Sequence, residues 1–170
     1  MEVNGWKLYG HKLFVDQIVK LIDEVSSLKE VDPSGYESHP KAKFLATINK
    51  LIRQNIPEDP NSPDFRQGNT LGKGNKHWFR AKFHARYCLF FRFSSKHKVI
   101  IYVWLNDEKT LRKQGAKTDP YTIFQNMLKQ GNPPQDFEQI LKYSTPLDEV
   151  FKKKLSGAEN SEETESISRR

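Results

Sequence analysis

The chain has 170 residues, one cysteine and a formal net charge of +7, from 28 Lys and Arg against 21 Asp and Glu. This length suits a single domain with its own core, and one cysteine excludes an internal disulfide framework, so we expect a cytoplasmic protein. No apolar run reaches the ~18 residues of a membrane span, and the N-terminus lacks a signal-peptide layout, so no membrane partner is expected. The charge favours a polyanionic partner, without separating a nuclease from a passive binder.

The first half of the chain predicts a short strand and then a pair of helices. Polar and apolar residues alternate over residues 3–9, as in a strand. Apolar residues spaced three and four apart predict amphipathic helices over residues 11–29 and 40–55, and their short connection favours antiparallel packing. Three prolines make residues 56–66 an irregular crossover, and residues 72–76 form a flexible basic turn that lacks the P-loop pattern.

The stretch from residue 77 to residue 105 carries the clearest pattern. Apolar and charged residues alternate over residues 78–84 and 87–94, and a β-branched and aromatic run follows over residues 99–105. These patterns predict three successive strands, two of which have an apolar face and a basic, partly aromatic face. The basic face holds Trp78, Arg80, Lys82, His84, Arg86 and Arg92.

All the ionisable side chains of that basic face are Arg, Lys or His. An anion-binding surface, in the first place for nucleic acid, explains both the uniform charge and the tryptophan. The alternative is a solvated face that only keeps the protein in solution.

The last third of the chain predicts a polar connection followed by helices. Residues 106–119 are polar, and Asp119 with Pro120 is typical of a helix start. The predicted helices cover residues 120–130, 136–142 and 146–155. The whole order predicts an α+β fold, with one domain over residues 1–155 and a disordered tail over residues 156–170.

No pattern of metal or cofactor chemistry is present. The five His and the single Cys form no ligand spacing, and the nucleotide-binding and nucleophile-elbow motifs are missing, so we expect neither metal nor cofactor. What remains is phosphate chemistry without a metal. RNA carries its own nucleophile, the 2′-hydroxyl, and its cleavage needs alignment and cations around the phosphate. Arginine suits this task because its planar fork binds two phosphate oxygens.

Several ordered motifs resemble a known family. The match begins with VNGW at residues 3–6 and ends with NPP at residues 132–134, about four fifths of the chain. Between these ends lie SPDFRQGNTLG, RAKF, RYCLFFRFSSKHKVII, WLNDEKTLR and KTDPYTIFQNMLKQ. Together they resemble the YhaV-type toxins of the RelE-like toxin–antitoxin superfamily. That resemblance implies a small antiparallel sheet with an N-terminal helical hairpin on one face and short C-terminal helices.

The resemblance also implies a function. It indicates the toxin of a type II toxin–antitoxin system, a metal-independent endoribonuclease that cleaves mRNA, free or on the ribosome, and inhibits growth. The implied partners are RNA and a PrlF-type antitoxin with an AbrB-like domain, through which alone the toxin reaches operator DNA.

Only some of the family's site residues have a counterpart in this chain. Arg80 and Lys82 match two basic residues on the strand before the tight turn, and Tyr87 matches the tyrosine that opens the next strand. The family commonly follows that tyrosine with an arginine that grips the scissile phosphate, whereas this chain has Cys88. We hypothesise that Arg86 takes over the missing role.

A second group of candidates lies nearer the C-terminus. Lys117 and Tyr121 fit the basic residue and tyrosine that the superfamily often has there. The NDExTLR segment adds Asp107, Glu108 and Arg112.

The candidate catalytic residues are therefore Arg80, Lys82, Arg86, Lys117 and Tyr121. The candidate substrate-binding residues are Arg92, His84, Arg112 and Asp107. Several of these residues have a structural alternative: Arg80 and Lys82 as residues that only solvate the sheet, and Arg92 as a packing residue. Asp107 and Glu108 could simply pair with Arg112, and Tyr121 could belong to the core. For the whole protein the alternatives are a non-catalytic RNA- or ribosome-binding module and a purely protein-binding domain.

Overall fold

The computed structural model describes residues 1–152, in which a six-stranded sheet is the central element. The strands are β1 (Glu2–Val3), β2 (Trp6–His11), β3 (Phe79–Phe83), β4 (Tyr87–Ser94), β5 (Val99–Leu105) and β6 (Ser144–Pro146). Their order is β1-β2-β5-β4-β3, and β6 pairs with β2 off this path. Strand β3 thus lies at one edge, where its neighbour outside the named strands is Arg66, bridged to Phe79.

The helices confirm the predicted α+β class. They are α1 (Lys12–Val31), α2 (Pro40–Lys50), α3 (Ile56–Glu58), α4 (Pro120–Lys129) and α5 (Phe137–Lys142). A π-helical stretch, Leu51–Asn55, joins α2 to α3, so the helical path runs three residues beyond the predicted end. None of the helices described within residues 1–152 is long and apolar enough to cross a membrane.

One strand pair departs from the expected antiparallel sheet. Strands β2 and β5 run parallel, with Leu8 opposite Ile100, whereas the other pairs are antiparallel. The parallel pair arises because the helical hairpin and the β3–β4 hairpin separate the two strands along the chain. Parallel neighbours need such a long crossover, while antiparallel neighbours can be joined by a tight turn.

The helical hairpin covers one face of the sheet, as predicted. Phe14 and Ile18 of α1, with Ile48 of α2, are fully buried against the sheet residues Tyr102 and Phe91. The stripe spacing of three and four residues explains this packing, because it places apolar side chains along one side of each helix.

The opposite face of the sheet is also covered, which corrects the predicted open basic face. Helix α4 lies across it, and the Phe124 ring stacks on Phe90 at 4.3 Å between centroids. Trp78 and Cys88, both predicted to face outward, are 0 % and 1 % exposed. Alternation reports only that two faces differ, so it cannot distinguish a solvated face from one that meets a second helical layer.

The C-terminal part differs from prediction in one respect. Residues 144–146 form the unpredicted strand β6, and the predicted helix therefore begins at residue 147 instead of 146 and reaches residue 152 of the described chain. The remainder of that predicted helix and the predicted tail over residues 156–170 lie outside the described residues.

Candidate active site

The β3–β4 connection places the first candidate residues. Phe83 pairs with Tyr87, so only His84, Ala85 and Arg86 form the turn. His84 and Ala85 have φ angles of +46° and +63°, and the Arg86 amide donates to the His84 carbonyl at 2.7 Å. This is a γ-turn centred on Ala85 in its rare, strained form, because non-glycine residues pay a steric cost at positive φ.

A polar network fixes that turn to the loop that follows β5. The side chain of Asn106, fully buried, donates to the carbonyls of Arg86 at 3.1 Å and Thr110 at 2.7 Å. Its Oδ1 accepts from the Cys88 amide at 2.7 Å. The Arg112 amide donates to the Arg86 carbonyl, and Arg86 Nε donates to the Arg112 carbonyl at 3.2 Å. The strained turn and the loop over residues 106–119 therefore form one unit.

Arg80 lies at the centre of the candidate site. It is 9 % exposed, and its Nε donates to Tyr121 Oη at 2.8 Å while its Nη1 donates to the Asp64 carbonyl at 3.0 Å. No acidic side chain within residues 1–152 pairs with it. Lys82, two residues along β3 and on the same face, is exposed and also without an ion-pair partner in the described chain. The two side chains form an uncompensated pair of cations.

Tyr121 is held between that arginine and a thiol. Cys88 Sγ donates to Tyr121 Oη at 3.6 Å, so the hydroxyl accepts from both Cys88 and Arg80. Burial, with a contribution from Cys88, raises the pKa of Tyr121 to about 12. The phenol is therefore neutral near pH 7, and its own proton remains available for donation to a bound ligand.

Cys88 occupies the place where the superfamily resemblance implies an arginine. It is 1 % exposed, lies opposite Lys82 in the strand pair, and burial raises the pKa of its thiol. A buried neutral thiol cannot neutralise phosphate.

A cationic side chain from another element lies beside Tyr121. The Arg112 guanidinium carbon lies 4.8 Å from the centroid of the Tyr121 ring, and Arg112 Nη1 contacts Asp119 Oδ1 at 2.5 Å. Asp119, 2 % exposed, also accepts from the amides of Lys113 at 2.7 Å and Tyr121 at 3.1 Å. It thus caps α4 as predicted and also holds Arg112 over Tyr121. The alternative that Arg112 pairs with Asp107 is wrong.

Two predicted substrate-binding residues form their hydrogen bonds outside the group around Arg80. His84 shares a hydrogen bond of 2.8 Å with Thr47 of α2 and faces the Phe44 ring. Asp107 accepts from the amide of Lys109 and the hydroxyl of Thr110, both at 2.9 Å, within its own loop. Both instead line a groove of about 410 Å³ between the helical hairpin and the end of the sheet.

Arg92 lies toward the other end of β4. Its guanidinium packs on the Trp78 ring at 5.0 Å and the Phe137 ring at 5.9 Å, and Nη1 donates to the Gln135 carbonyl at 2.6 Å. Burial lowers its pKa to about 10, which leaves it charged near pH 7. These contacts fix the segment before α5 to the sheet and correspond to the structural alternative for this residue.

Lys117 is exposed in the loop before α4, and its side chain contacts no group within residues 1–152 closely enough for a hydrogen bond or ion pair. The structure therefore brings Arg80, Lys82, Arg112 and Tyr121 together. Arg86 is connected to this group by its hydrogen bond to the Arg112 carbonyl, and Lys117 lies at the edge of the group.

Across the described residues, no group of three His, Cys, Asp or Glu side chains is placed to hold a metal ion.

Three residues of this site were not among the sequence-based candidates. Asn106 positions Arg86, and the Asp64 carbonyl positions Arg80. Neither residue has a local sequence signal, because each contacts a residue far away along the chain. Asp119 had a signal, its place before Pro120, but that pattern indicates only a helix cap. Its contact with Arg112 depends on the path of the loop.

Comparison with known proteins identifies the family of the chain. Residues 8–145 match the model of a family described as "Toxin with endonuclease activity, of toxin-antitoxin system". A ribonuclease toxin YhaV from Escherichia coli strain K12 is 51 % identical over 140 residues, which cover 81 % of this chain and 91 % of the relative. The toxin YhaV of Escherichia coli O157:H7 has the same identity and coverage. No solved structure matches the chain significantly.

Proposed function

The chain belongs to the YhaV family of toxins with endonuclease activity from toxin–antitoxin systems, and we propose that it is an endoribonuclease that needs no metal. The observation that carries the proposal is Arg80, a nearly buried cation without an acidic partner among the described residues, beside exposed Lys82 and the neutral phenol of Tyr121. Such a group costs free energy in the free protein, and an anion at the site would recover it. The name of the Escherichia coli K12 relative, a ribonuclease toxin, gives that anion as RNA.

In this proposal, Arg80, Lys82 and Arg112 surround the scissile phosphate. Their charges stabilise the additional negative charge that develops on the phosphoryl oxygens. Tyr121 donates its hydrogen to one of these oxygens, because a pKa of about 12 keeps the phenol protonated. Arg86 is exposed beside these residues and contacts the RNA backbone next to the scissile phosphate. Lys117, in the loop before α4, contacts the same RNA from the solvent side of the site.

The RNA supplies its own nucleophile. The 2′-oxygen forms a bond to the adjacent phosphorus, the bond from phosphorus to the 5′-oxygen breaks, and a 2′,3′-cyclic phosphate and a 5′-hydroxyl result. The proton lost by the 2′-hydroxyl passes to solvent, and the 5′-oxygen takes one from solvent. The protein contributes alignment and electrostatic stabilisation, which suits a site composed of arginine, lysine and tyrosine.

The proposal is tested by incubating purified protein with mRNA, alone and with translating ribosomes. Cleavage should give fragments with 2′,3′-cyclic phosphate ends, whereas intact RNA under both conditions would contradict the proposal. Expression should arrest growth, and the double variant Arg80→Ala, Lys82→Ala should relieve the arrest. A matched control, Lys43→Gln with Lys50→Gln on α2, removes two exposed charges from the opposite side of the sheet and should remain toxic.

Membership of a toxin–antitoxin family implies an antitoxin. We expect it to be a PrlF-type protein with an AbrB-like domain, acting with the toxin in the cytoplasm. Operator DNA should shift in a binding assay with the toxin–antitoxin complex and not with the toxin alone. A shift by the toxin alone would contradict this assignment.

Cys88 favours one alternative function, a non-catalytic RNA- or ribosome-binding module on the same fold. Its neutral thiol lacks the charge of the arginine that the superfamily resemblance implies there. The alternative predicts RNA binding that weakens with salt, without cleavage. Cleavage by the wild-type protein would eliminate it.

A further inference from the structure

A second cationic element lies on the same side of the sheet as Arg80. We define the basic turn as residues 72–77, with the sequence GKGNKH. Lys73, Lys76 and His77 are exposed, and no Asp or Glu occurs from residue 65 to residue 78. Neither lysine has a hydrogen bond or ion pair within the described part of the chain. By contrast, Lys12 pairs with Asp16 on the surface of α1.

The backbone of the basic turn adds donors to these charges. The amides of residues 73–77, five in succession, donate to no acceptor within residues 1–152. Gly72 and Gly74 both have a φ angle of +86°, a conformation that side-chain-bearing residues rarely adopt. Successive free amides in a glycine-rich turn form concavities that bind anions.

The basic turn is held in place by buried polar groups. Gln67, 4 % exposed, donates through Nε2 to the Asn75 carbonyl at 2.7 Å, and its Oε1 accepts from the Leu71 amide at 3.1 Å. Gln135 Nε2 donates to Asn75 Oδ1 at 2.9 Å. The Leu71 side chain is fully buried. The conformation of the turn is therefore set before any ligand binds.

The basic turn begins close to the candidate active site. A Cβ atom built on Gly72 would lie 2.6 Å from Nε2 of Gln125 on α4. Gln125 is four residues after Tyr121, about one helical turn or ~5–6 Å along the same side of α4. Gln125 therefore connects the start of the basic turn with the helix that carries Tyr121.

We propose that the basic turn is a second phosphate-binding site, which holds a phosphodiester of single-stranded RNA next to the one that is cleaved. Lys73 and Lys76 provide the charge, and the free amides donate to the phosphate oxygens. This inference rests on the proposed ribonuclease function and assigns it a substrate path, from Lys82 past Tyr121 to the basic turn.

The first experiment measures binding of the full chain to a 2′-O-methyl RNA, which lacks the nucleophile and cannot be cleaved. Lys73→Gln with Lys76→Gln should weaken binding about tenfold and should reduce the salt dependence, by up to ~0.7 in the log–log slope for each lost contact. The control pair Lys43→Gln, Lys50→Gln removes the same charge from α2 and should change neither quantity as much. Equal effects of the two pairs would overturn the proposal, because they would reflect net charge alone.

A second variant tests the backbone without changing charge. Gly74→Ala places a side chain at φ +86°, where there is open space but a strained conformation, and should weaken binding at an unchanged salt slope. Gly5→Ala, at φ +81° in the distant β1–β2 turn, is the control for stability. Unchanged affinity of both Gly74→Ala and the lysine variant would overturn the proposal.

Cleavage assays separate this inference from the proposed function. With cleavable RNA, the lysine variant should raise KM with little change in kcat, because the basic turn binds ground state and transition state alike. If the wild-type protein cleaves RNA and the variant retains its KM, the second site is wrong and the ribonuclease function stands. If the variant instead loses affinity only for the antitoxin, the basic turn is a protein contact and the proposal fails.

Discussion

Two arginines on the same face of the sheet, Arg80 and Arg92, have different environments, and the difference separates a candidate binding residue from a packing residue. Both follow the same alternating pattern, and Arg80 is buried whereas Arg92 is half-buried. Arg92 lies between the Trp78 and Phe137 rings and donates to a backbone carbonyl, so its charge is used within the protein. Within the described residues, Arg80 donates hydrogen bonds to two neutral oxygen atoms, and exposed Lys82 lies beside it. The same residue type is a structural contact at one end and a candidate phosphate ligand at the other.

The largest expected effect comes from removing the first of these arginines. Arg80→Ala should lower kcat/KM for RNA cleavage by about 10²–10³-fold, the usual loss for a group that stabilises charge in a transition state. Initial rates with a defined RNA measure it, and the melting temperature shows whether the variant folds. A folded variant with near-normal activity would remove Arg80 from the mechanism.

The opposite result is expected for the second arginine. Arg92→Ala should lower the free energy of unfolding by about 2 kcal/mol, because a charge-assisted hydrogen bond and a cation–π contact are lost. Urea unfolding measures the stability, and kcat at a temperature where the variant is folded should stay close to wild type. A selective loss of kcat at unchanged stability would invert the comparison and return Arg92 to the candidate substrate contacts.

Tyr121 tests the role of Arg80 from the other side, because its neutral hydroxyl accepts a hydrogen bond from Arg80. Tyr121→Phe keeps the ring under Arg112 and removes only the hydroxyl, so we expect roughly a tenfold loss of kcat, typical of one neutral hydrogen bond. The measurement is single-turnover cleavage across pH 6–9. The remaining rate should keep the pH profile of the wild type, since a phenol with a pKa of about 12 does not titrate there. A changed profile would assign Tyr121 a proton-transfer role.

The smallest expected effect concerns the turn beside Arg80. Ala85→Gly should stabilise the protein by about 0.5–1 kcal/mol, because glycine adopts a φ of +63° without steric cost. Thermal unfolding measures the gain. Activity should fall slightly, because a less constrained turn positions Arg86 less firmly. Unchanged or lower stability would show that the network around Asn106 already compensates for the strain.

Much of the fold could be predicted from local patterns. The stripes of α1 and α2, the three strands over residues 79–105 and the Asp119 cap follow from periodicity and capping, which depend on near neighbours in the chain. The parallel pairing of β2 with β5 and the short strand β6 were not predicted, because pairing partners far apart in sequence have no local signal.

The sequence predicted most residues of the candidate site but not how they are arranged. Arg80, Lys82 and Tyr121 were proposed and lie together. Arg86 was expected to replace the arginine that the family commonly has at the position of Cys88. In the structure it is Arg112 that lies over Tyr121, and Arg86 donates a hydrogen bond to the backbone carbonyl of Arg112. The position of Arg112 depends on Asp119 and on the path of the loop over residues 106–119, which periodicity does not describe.

The α+β class, the family and the excess of cations follow from the amino-acid sequence alone, because local periodicity, ordered motifs and charge do not depend on coordinates. Which cations are available to bind an anion depends on the packing of the folded chain. Helix α4 buries the face that alternation left open, Asp119 at its N-cap holds Arg112 over Tyr121, and Arg80 has no counter-charge among the described residues. Availability of charge depends on burial and on partners distant in sequence, and the packing of the folded chain fixes both.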